Sequence, residues 1–277
     1  MKDTNFVCIW KMKVGIIGLG FVGSAIQQSF QQKGLELVLY DKYKNGGIGS
    51  LDQCLNTNIL FLALPTLYSF EKEEYDKSAI HEICSFLHNN KYLGCVVIKS
   101  TVEPETTNQF EEQYNLNFVH NPEFLTARTA AEDFHNQKHI VLGKSSKCSE
   151  DSYLFLVNFF RENYPNAEIS ECSALESESM KIFVNSFYSV KIQFFNELFL
   201  LCQKNGSDYN KIKDLMIKNG WINPMHTSVP GHDGKLSYGG ACFPKDTSAL
   251  QKYMERKETI NEVLKATINE RNNLRSD

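Results

Sequence analysis

The chain has 277 residues, 42% of them apolar and 22% charged, which is the balance of a soluble globular protein with one large or two ordinary domains. Its net charge of −4 leaves no basic footprint for nucleic acid, and no apolar run approaches the roughly 20 residues of a membrane span. Eight cysteines are dispersed with no Cys-x-x-Cys pair, which argues against a metal site and suits reduced thiols in a cytoplasmic setting.

Residues 1–11 read as an N-terminal extension. Met12 to Ile17 is a short apolar run, followed by Gly18-Leu19-Gly20-Phe21-Val22-Gly23 and a helical pattern through Phe30. A second run, Leu35 to Tyr40, ends at Asp41. Strand, glycine turn, helix, strand, acid is the order of a dinucleotide site. The first glycine makes the turn, the second admits the pyrophosphate, and the third lets helix and strand pack. The helix N-terminus faces the phosphates and the acid takes the ribose hydroxyls. Asp41 favours NAD, because a carboxylate repels a 2′-phosphate; Lys42 and Lys44 stand close by and weaken that preference.

Further strand-like runs are Ile59 to Leu64, Val96 to Lys99, Phe118 to His120 and His139 to Gly143. Helical segments separate them, notably Lys77 to Leu87, Thr106 to Tyr114 and Glu150 to Asn163. This alternation predicts a doubly wound parallel sheet of Rossmann type over residues 12–175. Ligands of such sheets bind beyond the carboxyl ends of the strands. That singles out Pro65-Thr66, Ser100-Thr101 and Asn121-Pro122-Glu123-Phe124-Leu125. Thr101 suits a water or a substrate oxygen, and Glu123 a hydrogen bond or a proton; each is equally suited to a turn or a cap.

Residues 176–277 read as all-α. Glu176 to about Asn205 is one long helix, apolar on several faces, and a helix apolar all round is buried all round. A chain of this size hardly surrounds it alone, so part of it is expected in a homodimer interface. Lys181 and Asn185 lie on one face and Asn196 nearly on the same one. A buried lysine is costly unless paired or used, although a satisfied lysine at a helix start is the plainer reading. Asp208 to Lys218 is a short helix, Asn219 to Tyr238 a long loop with His226 and His232, and Ile260 to Arg275 a final helix. The loop leads into Tyr238-Gly239-Gly240-Ala241-Cys242-Phe243-Pro244-Lys245-Asp246. Pro244 suits the first turn of a helix, which would set Cys242 at its positive end with Asp246 one turn on. Either Cys242 is a structural cysteine near a turn, or it is a nucleophile with a carboxylate beside it.

These segments together resemble the UDP-glucose/GDP-mannose dehydrogenase family. The glycine turn, Ser100-Thr101-Val102, Asn121-Pro122-Glu123-Phe124-Leu125, Glu178-x-x-Lys181-x-x-x-Asn185, Asn196-Glu197 and Gly239-Gly240-Ala241-Cys242-Phe243-Pro244-Lys245-Asp246 fall in the family's order across nearly the whole chain. The resemblance implies an NAD-dependent four-electron oxidation of a nucleotide sugar, UDP-glucose first among candidates, without metal. It implies Cys242 as nucleophile, Lys181 stabilising an oxyanion, Asp246 and Thr101 handling water, and Asn185 and Glu123 holding sugar and water. It further implies cofactor contacts from Gly18, Gly20, Phe21, Val22, Gly23, Asp41, Pro65, Thr66, Ser100 and Thr101. Substrate contacts are expected from Glu123, Phe124, Leu125, Lys181, Asn185, His226, Gly239 and Gly240.

The sequence departs from the family at Ala127, where a second glutamate is usual, and at Trp221, where an interface arginine is usual. The family's C-terminal nucleotide-contacting domain is not expected here. Alternatives are another nucleotide sugar (GDP-mannose or a UDP-N-acetylhexosamine), a two-electron β-hydroxyacid or 6-phosphogluconate type of dehydrogenase, or a non-catalytic NAD-binding protein.

Overall fold

The computed structural model describes residues 12–126 and 128–276. The expectations for residues 1–11 and for Ala127 lie outside them. In chain order the elements are β1 (Lys13–Ile17), α1 (Phe21–Gln32), β2 (Glu36–Tyr40), α2 (Leu51–Cys54), β3 (Ile59–Leu62), β4 (Tyr68–Ser69), β5 (Glu74–Tyr75), α3 (Ser78–Asn89), β6 (Cys95–Ile98) and α4 (Thr106–Tyr114). There follow β7 (Asn117–His120), α5 (Ala130–His135), β8 (His139–Lys144), α6 (Glu150–Asn163), β9 (Glu168–Ser173), α7 (Ala174–Asn205), α8 (Tyr209–Lys218), α9 (Phe243–Arg256) and α10 (Glu262–Leu274). They form two compact units. The first holds the described residues up to Thr66 and Lys77–Glu178; the second holds Leu67–Asp76 and the residues from Ser179 on.

The first unit is a seven-stranded sheet of order β2-β1-β3-β6-β7-β8-β9. Its central strands, such as β3 and β6, are continuous apolar runs because both faces are covered. Val14, Ile16, Phe61, Val97 and Val119 pack on one face with Ile26 and Phe30 of α1 and Phe159 and Phe160 of α6. Ile17, Leu60, Leu62, Val96, Ile98 and Phe118 pack on the other with Ile80 and Ile83 of α3 and Phe110 of α4. This is the expected α/β architecture with one correction: β8 runs antiparallel to β7. A parallel return needs a crossover that travels back along the sheet. Here α5 is only six residues and packs on α1, so the chain re-enters from the same end. The final strand β9, Glu-Ile-Ser-Glu-Cys-Ser, pairs parallel with β8 and is not among the strands expected from the sequence.

The start of α7 is tied to α4 by Glu178, which is fully buried. Its Oε2 accepts from the Glu105 N–H at 2.8 Å and its Oε1 from the Thr107 N–H at 2.7 Å, capping orphan donors at the α4 N-terminus. Burial pushes the Glu178 carboxyl up to about 7 against the pull of those hydrogen bonds.

In the second unit the long helix observed is α7, and the chain expected to be all-α also holds the β4–β5 hairpin from far upstream. Tyr75, Ile182, Ala249, Leu250 and Leu264 form one apolar cluster. Phe195, Cys202, Tyr209 and Val229 form another. The helix is not buried all round. Phe183, Phe187, Phe194 and Leu201 are exposed, and their spacing of four and then seven residues aligns them in one stripe.

Because the folded-state pKa of Glu178 lies above its unfolded value, the folded chain holds an extra proton between pH about 4.5 and about 7. The corresponding stability is present below that window and is lost as pH rises through it, by at most about 3 kcal/mol. Urea unfolding from pH 4.5 to 7.5 is expected to show this decline in the wild type and a flatter profile in Glu178→Gln. Equal slopes in the two proteins would contradict it.

Candidate functional site

In the first unit each glycine of the turn has its own physical reason. Gly18 has φ +86°, and a Cβ there would lie 2.5 Å from the Ala63 carbonyl oxygen. At Gly23 a Cβ would lie 1.8 Å from the Gly18 carbonyl oxygen, so the start of α1 packs against the turn only without a side chain. At Gly20, the residue capping α1, a Cβ would meet nothing within 4 Å. The space over Gly20 is therefore open for a ligand's backbone-close approach.

Asp41 closes the turn. Its Oδ2 accepts from the Leu19 N–H at 2.7 Å, and its Oδ1 from the N–H groups of Tyr43 and Lys44 at 2.9 and 2.8 Å. Burial opposes its charge, but the three backbone donors outweigh it and hold the carboxyl below its usual range. A carboxylate has about four acceptor positions, so one remains for a ribose hydroxyl. The two neighbouring lysines are engaged elsewhere. Lys42 pairs with Glu82 at 2.8 Å, and Lys44 Nζ donates to the Leu19 carbonyl at 2.6 Å and to Ser24 Oγ at 2.9 Å.

A cavity of about 480 Å³ lies against this turn, lined by Gly18, Gly20, Phe21, Val22, Asp41, Pro65 and Ser100 among others. Most of the expected cofactor residues are thus brought together. Gly23, Thr66 and Thr101 are not on the cavity wall. Ser100 and Thr66 act as clamps between strand ends: Ser100 Oγ donates to the Leu64 carbonyl at 2.6 Å, and Thr66 Oγ1 to the Thr101 carbonyl at 2.7 Å. Glu123 folds back on its own loop, its Oε2 accepting from the Leu125 N–H at 2.7 Å. Phe124 is exposed, whereas Leu125 packs on the core of the unit. Lys99, which the sequence reading passes over, lines the same cavity and donates to Asn121 Oδ1 at 2.9 Å.

In the second unit α9 starts where Pro244 suggests, with Cys242 at the N-cap. Among the described cysteines Cys242 is the exposed one. By contrast burial pushes the Cys54 thiol up to about 11 and that of Cys148 to about 12. Cys242 therefore does not have the burial of a structural cysteine.

The polar residues of α7 hold the cysteine segment. Asn185 Nδ2 donates to Asp246 Oδ2 at 2.5 Å. Gln193 Oε1 accepts from Ser237 Oγ at 2.6 Å, and Asn196 Oδ1 from the Ser237 N–H at 2.9 Å. Ser189 Oγ accepts from Thr247 Oγ1 at 2.7 Å. Lys181, one turn before Asn185, is 5% exposed. Gln193 and Ser189 are absent from the sequence reading, although their polarity within an apolar helix is the signal that finds them.

Gly239 is backed by Arg275, whose guanidinium occupies the place a Cβ would take, 2.3 Å away, and pairs with Asp233 at 2.5 Å. Gly240 has φ +77° with open space where a Cβ would stand. His226 packs between aromatic rings, 4.7 Å from Tyr188 and 5.3 Å from Phe243, and burial, with Lys191 nearby, lowers its pKa. His232 and Trp221 are exposed, the latter by 90%. Among the described residues no group of His, Cys, Asp and Glu could hold a metal ion, and no helix is long and apolar enough to cross a membrane.

The open glycine turn, the acid at the end of β2 and the mostly parallel sheet define a dinucleotide-binding α/β protein. The chain belongs to the UDP-glucose/GDP-mannose dehydrogenase family: that family's NAD binding domain matches residues 49–160 and its central domain residues 175–273. It is 33% identical over 230 residues to a UDP-glucose 6-dehydrogenase of Rickettsia bellii, covering 78% of this chain and 50% of that protein. The chain spans about half the length of such curated relatives. The structure of a UDP-glucose dehydrogenase from Pyrobaculum islandicum superposes with a TM-score of 0.82 at 23% identity, covering 95% of this chain and 68% of that one. The fold is shared more widely. Mycobacterium tuberculosis 3-hydroxyisobutyrate dehydrogenase gives a TM-score of 0.72 at 14% identity, covering 93% of this chain and 91% of its own.

The different surroundings of Gly20 and Gly23 predict different failures. Gly20→Ala is expected to keep its melting temperature while losing affinity for NADH. Gly23→Ala is expected to melt several degrees lower, through overpacking of roughly 1–3 kcal/mol. Differential scanning fluorimetry and NADH fluorescence titration check both; unchanged NADH affinity in Gly20→Ala would contradict the assignment of the open space.

Proposed function

We propose that the protein is a nucleotide-sugar 6-dehydrogenase that converts a primary alcohol to a carboxylate in two oxidations, with UDP-glucose as the first candidate substrate. The observation that carries this reading is an exposed cysteine at the start of α9, in a segment held in place by Asp246 and by the polar face of α7. A two-electron β-hydroxyacid dehydrogenase needs no such thiol. Membership of a family whose relatives are named UDP-glucose 6-dehydrogenase supports the substrate class.

Bound NAD supplies the hydride acceptor, and the open face of Gly20 with the remaining acceptor position of Asp41 fits it. In this reading the Cys242 thiolate adds to the aldehyde carbon left by the first oxidation, forming a C–S bond and a thiohemiacetal. The helix N-terminus favours the thiolate. Oxidation of that adduct leaves a thioester, and water displaces the sulfur to release the acid. Lys181 stabilises the negative oxygen, as a cation in a water-poor setting can. Asp246 orients the water and Asn185 holds the sugar, while Thr101 and Glu123 of the first unit keep the water- and sugar-handling roles that the resemblance implies for them. Covalent capture keeps the aldehyde on the protein while the cofactor is exchanged.

In this reading residues 12–175 bind NAD and residues 176–277 form the helical part that carries the cysteine segment. The exposed stripe of Phe183, Phe187, Phe194 and Leu201 on α7 supports a homodimer through residues 176–205. A cytoplasmic enzyme fits the reduced thiols.

Incubation with UDP-, GDP- and TDP-sugars is expected to yield two NADH per sugar oxidised with one preferred sugar. Cys242→Ser is expected to lower acid formation by at least about 10³-fold. One NADH per sugar, or undiminished uronate from the variant, would overturn the covalent route.

A further inference from the structure

The β4–β5 hairpin, Leu67–Asp76, stands outside every motif that carries the proposed function, yet it belongs to the unit of the cysteine segment. It lies along α9 and is fastened to it at both ends. Near the C-terminal end of α9, Lys252 pairs with Glu73 at 2.8 Å and Arg256 Nη1 donates to the Glu73 carbonyl at 3.1 Å. Along the middle, Tyr75 packs with Ala249 and Leu250. At the N-terminal end the Tyr75 hydroxyl donates to Asp246 Oδ1 at 2.5 Å.

Asp246 is 0% exposed and Tyr75 is 1% exposed, so both groups are shielded from bulk solvent and depend on partners within the fold. Lys245 Nζ donates to the same Oδ1 at 2.5 Å and lies 4.5 Å over the Tyr75 ring. Asn185 Nδ2 holds Oδ2 from α7. Three donors from three elements fix the carboxylate plane, and three of its roughly four acceptor positions are filled. The position that remains lies on the Asn185 side of the carboxylate, at Oδ2.

We propose that Tyr75 is a positioning residue for the reaction: it locks the Asp246 carboxylate so that its one remaining acceptor position receives the water that hydrolyses the Cys242 thioester. This rests on the function proposed above and extends its machinery to a hairpin some 170 residues upstream of the aspartate. In that hydrolysis water adds to the thioester carbonyl, the C–S bond breaks, and the sulfur leaves as the thiolate. The water's two protons go to solvent-exchangeable groups, and no oxidant is consumed. Without the Tyr75 hydroxyl, Oδ1 keeps only Lys245. The carboxylate is then free to rotate, and water is offered two acceptor positions instead of one.

The test is rapid-quench kinetics on Tyr75→Phe beside the wild type. The variant is expected to release two NADH per active site in a burst and then to turn over about tenfold more slowly. The thioester should accumulate on Cys242, and the KM for the sugar should change less than about twofold. A role in stability alone would lower the concentration of active enzyme without adding thioester. A wild-type steady-state rate with no accumulation overturns the proposal. Tyr75→His keeps a ring and an N–H donor and is expected to recover part of the lost rate. Should Tyr75→Phe not fold, a folded Tyr75→His decides: near-wild-type hydrolysis supports the proposal, and a rate lost through weaker sugar binding, without thioester, overturns it.

A double-mutant cycle of Tyr75→Phe with Asp246→Asn, read as melting temperatures, needs no turnover. The losses are expected to fall short of additivity by about 3 °C or more. Additive losses overturn the inference by themselves. Absence of NADH from any nucleotide sugar in the wild type would instead remove the proposed function, and the positioning role with it.

Discussion

The second unit is organised around one buried carboxylate. Asp246 is shielded from bulk solvent, and it accepts from Tyr75, Asn185 and Lys245. A buried acceptor is costly when unpaired and rigid when fully paired. Because its partners come from the upstream hairpin, from α7 and from α9 itself, satisfying it fixes all three. The cysteine one turn earlier is then held by its own backbone: the Asp246 N–H donates to the Cys242 carbonyl at 3.0 Å. The loop that precedes it is pinned separately, by Gln193 and Asn196 to Ser237. An exposed thiol thus stands on a rigid base, which is what a nucleophile needs.

The first unit meets a different constraint, close approach. Gly18 and Gly23 are glycines because neighbouring carbonyl oxygens leave no room for a Cβ. Gly20 is a glycine although nothing protein-borne stands near it. Packing explains the first two and leaves a ligand as the reason for the third. Asp41 adds to this by holding Leu19, Tyr43 and Lys44 through their backbone N–H groups while keeping one acceptor position open.

What could be read from the sequence follows the range of the interactions. The glycine turn, Asp41, the α9 start at Pro244 and the lysine and asparagines of α7 are local patterns, and their elements lie where local chemistry puts them. The antiparallel entry of β8 depends on how far a six-residue helix can carry the chain, which no strand pattern encodes. β9 is polar and partly exposed, without an apolar run to announce it. The hairpin of two-residue strands has too few residues to show a period, and its function rests on a contact 171 residues away. Leu125 and His226 show that a motif residue also serves packing. Both lie in or near motifs, and both are engaged in packing, on the core and against Tyr188 and Phe243. The expectation that this chain cannot cover the long helix alone agrees with the exposed stripe of Phe183, Phe187, Phe194 and Leu201, although helical periodicity alone does not say which face is left uncovered.

Covalent oxidation is tested most directly on the sulfur itself. Wild-type protein can be mixed with excess NAD and UDP-glucose, quenched in acid within milliseconds, digested and analysed by mass spectrometry. The peptide carrying Cys242 is expected to gain the mass of a UDP-glucuronyl thioester, and peptides carrying the other cysteines are expected to be unmodified. Turnover to the acid with Cys242 never acylated at any quench time would contradict a thiol-bound intermediate.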